Sequence, residues 1–451
     1  MSLKSQLSKL GLFDAKVPRY TSYPTAPHFG PDVGPTQFSD WIAAVPAGGS
    51  ISLYVHVPFC RRLCWFCACR TQGTQTDAPV IAYLETLKAE LALLGQRLPE
   101  GVTLSRLHWG GGTPTLLSPA MMTDLAKAIF DVAPMGPDAE FSVEIDPNEI
   151  DAARLDALAA AGMNRASIGI QDFDEEIQKA IGRIQGYELT RQTVEMIRGH
   201  GIKSLNADIL FGLPHQTRTR MTESVQKLLS LAPDRVALYG YAHVPWMAKR
   251  QQLIPSDSLP TPEDRLELFD TARRLFRWDG YSEIGIDHFA RPDDGLTRAQ
   301  KAGTLRRNFQ GYTDDQAEVL IGVGASSISR FPQGYAQNAP ATSTHTAAIR
   351  AGQFSTARGH VFQGEDRMRG RMIEMLMCDF RIDGDEIRTR FGAEQCTLET
   401  MFDAAEGAFP DMLTRHGNTL EIKPEAHPLT RMIARSFDAY DLSKAGHSSA
   451  I

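Results

Sequence analysis

Apolar and polar positions along this chain switch repeatedly between a period of two and a helical period, which predicts strands alternating with helices. Val55, Val57 and Phe59 alternate with polar neighbours within Ser52–Arg70, so a first strand runs into Cys60. Behind it, Val80, Tyr83, Leu84, Leu87, Leu91 and Leu94 fall at helical spacing. A strand over Leu104–Trp109 then leads into Gly110, Gly111 and Gly112, and Ser118-Pro119 opens a helix as N-cap and first helical residue. Further strands are expected at Glu140–Ile145, Arg165–Ile170, Ser204–Leu210, Arg235–Tyr241 and Ser282–Ile286. Helices over Ala152–Ala161, Glu188–His200, Glu223–Leu231 and Glu263–Trp278 separate them. This succession predicts an α/β fold, a parallel sheet curled into a barrel or part-barrel. Chemistry in such folds sits where the strands' C-terminal ends open into loops, so Cys60 and the glycines should face one mouth.

The flanks read differently. Residues 1–48 form an arm in which Pro18, Pro24 and Pro27 predict an extended Val17–Phe29, with Arg19, Tyr20 and Tyr23 between the prolines. From about Phe362 the expected elements are helices at Arg371–Cys378, Gly384–Arg390 and Leu398–Gly407, then a short strand pair near Thr419–Ile422. Three units follow: an arm (1–48), a catalytic domain (49–360) and a mainly helical C-terminal domain (361–451).

Composition narrows the class. A formal charge of -7 over 451 residues leaves no basic footprint for nucleic acid. No apolar run approaches the ~18 residues of a membrane span, and Met1–Leu12 lacks the apolar core of a signal peptide. Four of the six cysteines crowd one loop, against a disulfide framework and for a reducing compartment, the cytoplasm.

That loop holds the distinctive chemistry. Cys60, Cys64 and Cys67 are spaced C-x3-C-x2-C, with Cys69 two residues on. Three thiolates on one loop can converge on a metal centre, but the usual second pair of ligands is missing: only the distant Cys378 and Cys396 remain. Three thiolates on a four-iron cluster leave one iron open to a small molecule. A structural metal loop or buried thiols is the plainer alternative.

With an aromatic residue before its third cysteine, the spacing resembles the signature loop of radical S-adenosylmethionine (SAM) enzymes. The fuller string YVHVPFCRRLCWFCAC, the R-Y-T-S-Y-P-T arm, and IDHFARPDDGLTRAQ with LRRNFQGYT resemble the oxygen-independent coproporphyrinogen III oxidase family, over nearly the whole chain. The resemblance selects an incomplete (βα)6 barrel with a lateral opening for a large substrate, capped by the C-terminal domain. It implies a 4Fe-4S cluster on Cys60, Cys64 and Cys67, with Cys69 outside the ligand set. The reduced cluster would cleave SAM to methionine and a 5′-deoxyadenosyl radical. That radical would take a propionate β-hydrogen of coproporphyrinogen III. Loss of carbon dioxide from two propionates then gives two vinyl groups and protoporphyrinogen IX.

Residue roles are carried over in the same way. Tyr54 and His56 share one face of the first strand and are placed near the SAM sulfonium, as the candidate catalytic pair. Phe66 would pack on adenine, and Gly111, Gly112 and Thr113 would receive the methionyl amino group. Glu144 suits ribose hydroxyls, Gln171 an adenosine contact, and Arg183 the SAM carboxylate. Asp208, at a strand end, and the backbone around Ala242 complete the pocket. Gln310 and Ile328 match positions associated with a second SAM molecule. Arg291, Arg306 and Arg307 offer cations to propionates, although a solvated basic face explains them almost as well. The chain departs from its relatives at Gly182, where asparagine is common before the arginine; a looser loop around Arg183 is expected.

A monomer is expected, served by an electron donor and an electron acceptor. The rival readings are a haem-binding chaperone built on the same core and another radical SAM enzyme acting on haem. Cys69, which chaperone-type relatives usually replace with an aromatic, and the R-Y-T-S-Y-P-T arm, which they lack, both point to the oxidase.

Overall fold

The computed structural model describes residues 3–441 and 449–451, so residues 1–2 of the expected arm and 442–448 of the expected C-terminal domain lie outside it. Six parallel strands form its centre: β1 (Ser50–Val57), β2 (Thr103–Gly111), β3 (Met135–Ile145), β4 (Arg165–Gln171), β5 (Ser204–Phe211) and β6 (Arg235–Gly240). Each is followed by a helix: Ala78–Gly95, Pro119–Val132, Ala152–Ala160, Tyr187–Gly199, Arg218–Ser230 and Pro262–Trp278. Side-chain caps start most of them, Ser118 being the one read from the sequence. Ser118 accepts from Met121 N, Asp151 from Arg154 N, and Thr261 pairs with Asp264 in a capping box. One apolar core runs between strands and helices, with Trp109, Phe141, Ile168 and Ile209 fully buried.

The sheet does not close. Beyond β1, Leu320–Val323 adds a parallel strand, followed by antiparallel Ile328–Phe331, Gly334–Asn338 and Thr356–Val361. Beyond β6 the expected strand at Ser282–Ile286 proves to be half of an antiparallel hairpin. Ser282–Ile284 pairs with His288–Ala290, which runs antiparallel to β6. The hairpin reverses within a few residues and leaves no room for the helix that a parallel return needs. The part-barrel of six βα units is therefore open on one side.

A second apolar core lies in the C-terminal region, around Met372, Leu376, Ile387, Phe402, Leu429 and Phe437. Among the described residues its strands number three, Arg381–Asp383, Leu413–His416 and Thr419–Ile422, where the sequence suggested a pair. The arm is not simply extended either. Leu3–Lys9 and Pro35–Ala43 are helical, the second with proline at its first position, where no amide donor is needed. Leu7, Leu12, Val17, Tyr20 and Tyr23 pack into the C-terminal core, whereas Phe38, Trp41 and Ile42 pack on the barrel. Tyr20 donates to Asp438 at 2.9 Å and Tyr23 accepts from Ala439 N at 2.9 Å. Both tyrosines thus fasten the arm to the C-terminal region. Among the described residues no helix is long and apolar enough to cross a membrane.

Candidate active site

β1 delivers the chain to the cysteine loop at the barrel mouth. Phe59–Cys60 pairs in parallel with Gln72–Gly73 and closes the base of the loop. Trp65 N donates to Ile181 O at 2.9 Å, and Gln251 Nε2 bridges Phe66 O (2.8 Å) and Ala242 O (3.0 Å), tying the loop to the end of β6. All four thiols of the loop are free. Arg183 Nη1 donates to Cys64 Sγ at 3.5 Å, Cys69 N to Cys67 Sγ at 3.4 Å, and the Thr113 hydroxyl bonds Cys60. Burial pushes the Cys60 thiol up to about 11, while the Cys69 hydrogen bond brings Cys67 down to about 6.

Among the described residues no three Cys, His, Asp or Glu side chains converge as ligands of a single ion would. The three thiols instead spread around one loop, with N–H and O–H donors aimed at their sulfurs. That donor set fits a multi-iron cluster, which is wider than an ion, takes one thiolate per iron and is tuned by hydrogen bonds to sulfur.

At the end of β2 the glycines make room. A β-carbon on Gly110 would strike Glu144, one on Gly111 (φ 107°) would strike the His56 ring, and one on Gly112 would strike the carbonyls of Val57 and Phe59. The amide groups of this turn are already spent. Gly111 N donates to Glu144 Oε2 at 3.1 Å, Gly112 N to Val57 O at 2.8 Å and Thr113 N to Phe59 O at 2.8 Å. Glu144 also lies 3.3 Å from His108 Nε2, and its side chain remains 42% exposed. Tyr54 Oη lies 3.1 Å from His56 Nδ1 and its ring stacks on His108, with centroids 5.7 Å apart. Burial holds the Tyr54 hydroxyl protonated and lowers the His56 imidazole.

Gln171 closes β4 in the left-handed region, φ 69°, with Asp172 turned into a buried net with Ser224 and Gln216. Arg183 is largely but not fully buried and donates to Gly169 O (2.7 Å) and Gln185 Oε1 (2.8 Å) as well as to Cys64. The loop before it is not loose. Gly182 has φ 66°, and a β-carbon there would stand 2.8 Å from the Trp65 indole, so glycine lets Trp65 close over the turn. Asp208 sits three positions before the end of β5, inside the barrel and not at its rim; Asn206 Nδ2 donates to it at 2.9 Å. Burial raises its carboxyl to about 6.

Two cavities meet at this mouth. The barrel interior encloses about 770 Å³ and is lined by Tyr54, His56, Glu144, Asp208 and Ile328. A lateral cavity of about 640 Å³ is lined by Phe66, Cys67, Ala242, Arg19 and Arg307. Cys69 and Gln310 line both. Arg306 lies apart, in a third cavity beside Arg371 and Glu374. Arg291 is at the wrong end of the barrel: its backbone bonds Asp234, which precedes β6, and its guanidinium covers Tyr281 at 4.3 Å. The sequence reading missed His108, Arg265 and Arg431. His108 follows the two-residue period of β2 on the face of Gly110 and was legible; the two arginines lie in no motif.

The radical SAM superfamily description matches residues 54–228. The oxygen-independent coproporphyrinogen III oxidase of Paracoccus denitrificans is 67% identical over 100% of both chains. That of Pseudomonas aeruginosa is 36% identical over 95% of this chain and 94% of its own. The solved structure of coproporphyrinogen III oxidase from Escherichia coli, described as a radical SAM enzyme, superposes with a TM-score of 0.89 at 34% identity, covering 95% of this chain and 100% of that one. Fold and loop thus define a radical SAM protein. Within that class the chain belongs to the oxygen-independent coproporphyrinogen III oxidase family.

Proposed function

We propose that this protein converts coproporphyrinogen III to protoporphyrinogen IX without oxygen, by oxidative decarboxylation of two propionates to vinyl groups. The observation that carries the reading is the meeting of the two cavities at the cysteine loop. A bound SAM and a tetrapyrrole can both reach that junction, and the family relationship supports the same assignment. Cys60, Cys64 and Cys67 hold the 4Fe-4S cluster. When bound, cluster and SAM supply the electron and the carbon radical that no side chain can provide for an unactivated C–H bond.

The chain's own residues position and shield. Because the amides of the glycine turn are spent, Gly111, Gly112 and Thr113 offer carbonyl and hydroxyl acceptors, which suit an ammonium. Arg183 holds the SAM carboxylate beside Cys64, half-exposed Glu144 takes ribose hydroxyls, and Gln171, Phe66 and the Ala242 backbone frame the adenosine. Tyr54, kept protonated, and neutral His56 border the sulfonium without adding charge. Asp208 faces the same space from β5. Gln310 and Ile328 border the barrel cavity where a second SAM molecule would lie. We assign residues 1–48, 49–360 and 361–451 as arm, catalytic domain and C-terminal domain of a cytoplasmic monomer served by an external electron donor and acceptor. The test is anaerobic incubation of reconstituted protein with SAM, a reductant and coproporphyrinogen III. Protoporphyrinogen IX is expected; tight haem binding without turnover would favour a chaperone.

A further inference from the structure

The lateral cavity gathers an unusual amount of positive charge. Arg19 comes from the arm, Arg265 from the helix after β6, Arg307 from the Arg306–Asn308 strand and Arg431 from the last described helix, Thr430–Arg435. Asp287 is the side-chain carboxylate set among them; His288 Nδ1 bonds it at 2.7 Å and Arg307 Nη1 stands 3.9 Å away. The cavity's other acids belong elsewhere: Glu283 pairs with Arg273 at 2.8 Å and Arg277 at 3.3 Å, and Asp270 neighbours Arg273 and Arg274. Arg19 donates to Gly240 O at 2.8 Å, and Arg265 to Tyr241 O (2.8 Å), Gly212 O (3.3 Å) and Ile451 O (3.2 Å). Arg431 donates to Pro18 O and Ser449 O, both at 3.0 Å. Ile451 is the last residue of the sequence, so its oxygen belongs to a terminal carboxylate beside Arg265. The other acceptors are peptide carbonyls, which satisfy some of the donors but neutralise no charge. Burial, and then the Arg19 charge, lower Arg265 to about 10 and Arg431 to about 9.

Burying a cation is costly unless it is paired, so a cluster of this kind is completed by an anionic ligand. The backbone is shaped for it: β-carbons at Gly212 or Gly240 would crowd the Arg265 guanidinium at the ends of β5 and β6. We propose that Arg19, Arg265, Arg307 and Arg431 form a carboxylate subsite for the propionates that the reaction leaves in place. This rests on the proposed substrate. Coproporphyrinogen III carries four propionates and loses two. A guanidinium clamped on a departing carboxylate would stabilise the ground state that decarboxylation must leave, whereas a clamp on a persistent carboxylate anchors the macrocycle at no cost to the barrier. Because the four arginines come from four segments, the subsite also links arm, barrel and C-terminal region around the substrate.

The experiment measures binding alone. Anaerobic equilibrium dialysis gives the affinity of cluster-loaded protein for coproporphyrinogen III and for protoporphyrinogen IX, which retains only the two unreacted propionates. Arg265→Gln should weaken both by the same factor, about 10- to 100-fold, with Arg265→Lys in between. Iron content and thermal melting report on the fold, and Arg19→Gln, which gives up one carbonyl contact, supplies the same pair of affinities if Arg265→Gln does not fold. A loss confined to coproporphyrinogen III would place the arginines on the departing carboxylates and overturn the assignment. Unchanged affinity for both ligands would remove the subsite altogether. Wild-type protein that fails to bind coproporphyrinogen III would instead overturn the proposed substrate, a result distinct from variants that match a binding wild type.

Discussion

The guanidinium of Arg183 stands 3.5 Å from the sulfur of Cys64, although 119 positions separate them in the chain. One side chain therefore contacts the cysteine loop and, on the proposed assignment, would also take the SAM carboxylate. Arg183→Ala should retain iron but bind SAM roughly 10- to 150-fold more weakly, the ~1.5–3 kcal/mol of a charge-assisted contact. Anaerobic equilibrium binding measures it, and unchanged affinity would make Arg183 a structural tie between Gly169 and the loop.

Gly182 and Trp65 form a packed pair. Gly182→Ala combines a left-handed backbone with a β-carbon against the indole, so a loss of about 1–3 kcal/mol in stability is expected. Thermal melting should show it. A melting point equal to wild type would mean that Trp65 moves freely.

Cys69 N bonds Cys67 Sγ at 3.4 Å, and the proposed ligand set leaves the Cys69 thiol out. Replacing Cys60, Cys64 or Cys67 by serine should each abolish the iron-sulfur absorbance, whereas Cys69→Ser should keep it. Loss of iron from Cys69→Ser with retention in Cys67→Ser would reassign the loop.

Tyr20 bonds a buried Asp438 and lies away from both main cavities. Tyr20→Phe should cost about 1–3 kcal/mol by leaving that carboxylate short of a donor, with no change in coproporphyrinogen III affinity. An affinity loss at unchanged stability would place the tyrosine on the substrate.

The Asp208 carboxyl titrates at about 6 in the fold, above its ordinary value. The folded state therefore binds the proton more tightly than the unfolded chain, and this group's contribution to stability is lost as pH rises from about 4 through 6. Asp208→Asn should lack that component. The difference in unfolding free energy between variant and wild type should change by up to about 3 kcal/mol across the window, as denaturation at several pH values would show. A constant difference would mean that Asp208 stays ionised.

Much of this was legible because local signals sufficed. Alternation found the six parallel strands, and the cap Ser118 marked a helix start. The cysteine spacing and the glycines at the end of β2 located the mouth. What stayed hidden depends on contacts between distant segments. Tyr20 and Tyr23 lie in a proline-rich arm with no periodicity to mark them as core, and their burial shows only when the C-terminal core appears around them. Arg265 and Arg431 belong to ordinary helices and become a cluster only when four segments converge on one cavity. Gly182 reads as slack until Trp65 is seen above it, and the Ser282–Ile284 strand carries no local mark of its antiparallel partner.

The most direct measurement uses coproporphyrinogen III deuterated at the propionate β-carbons, with reconstituted enzyme, SAM and a one-electron reductant under anaerobic conditions. Mass spectrometry of the 5′-deoxyadenosine should show deuterium accumulating in step with vinyl-group formation. Unlabelled 5′-deoxyadenosine alongside protoporphyrinogen IX, or cleavage of SAM with no tetrapyrrole product, would contradict the account.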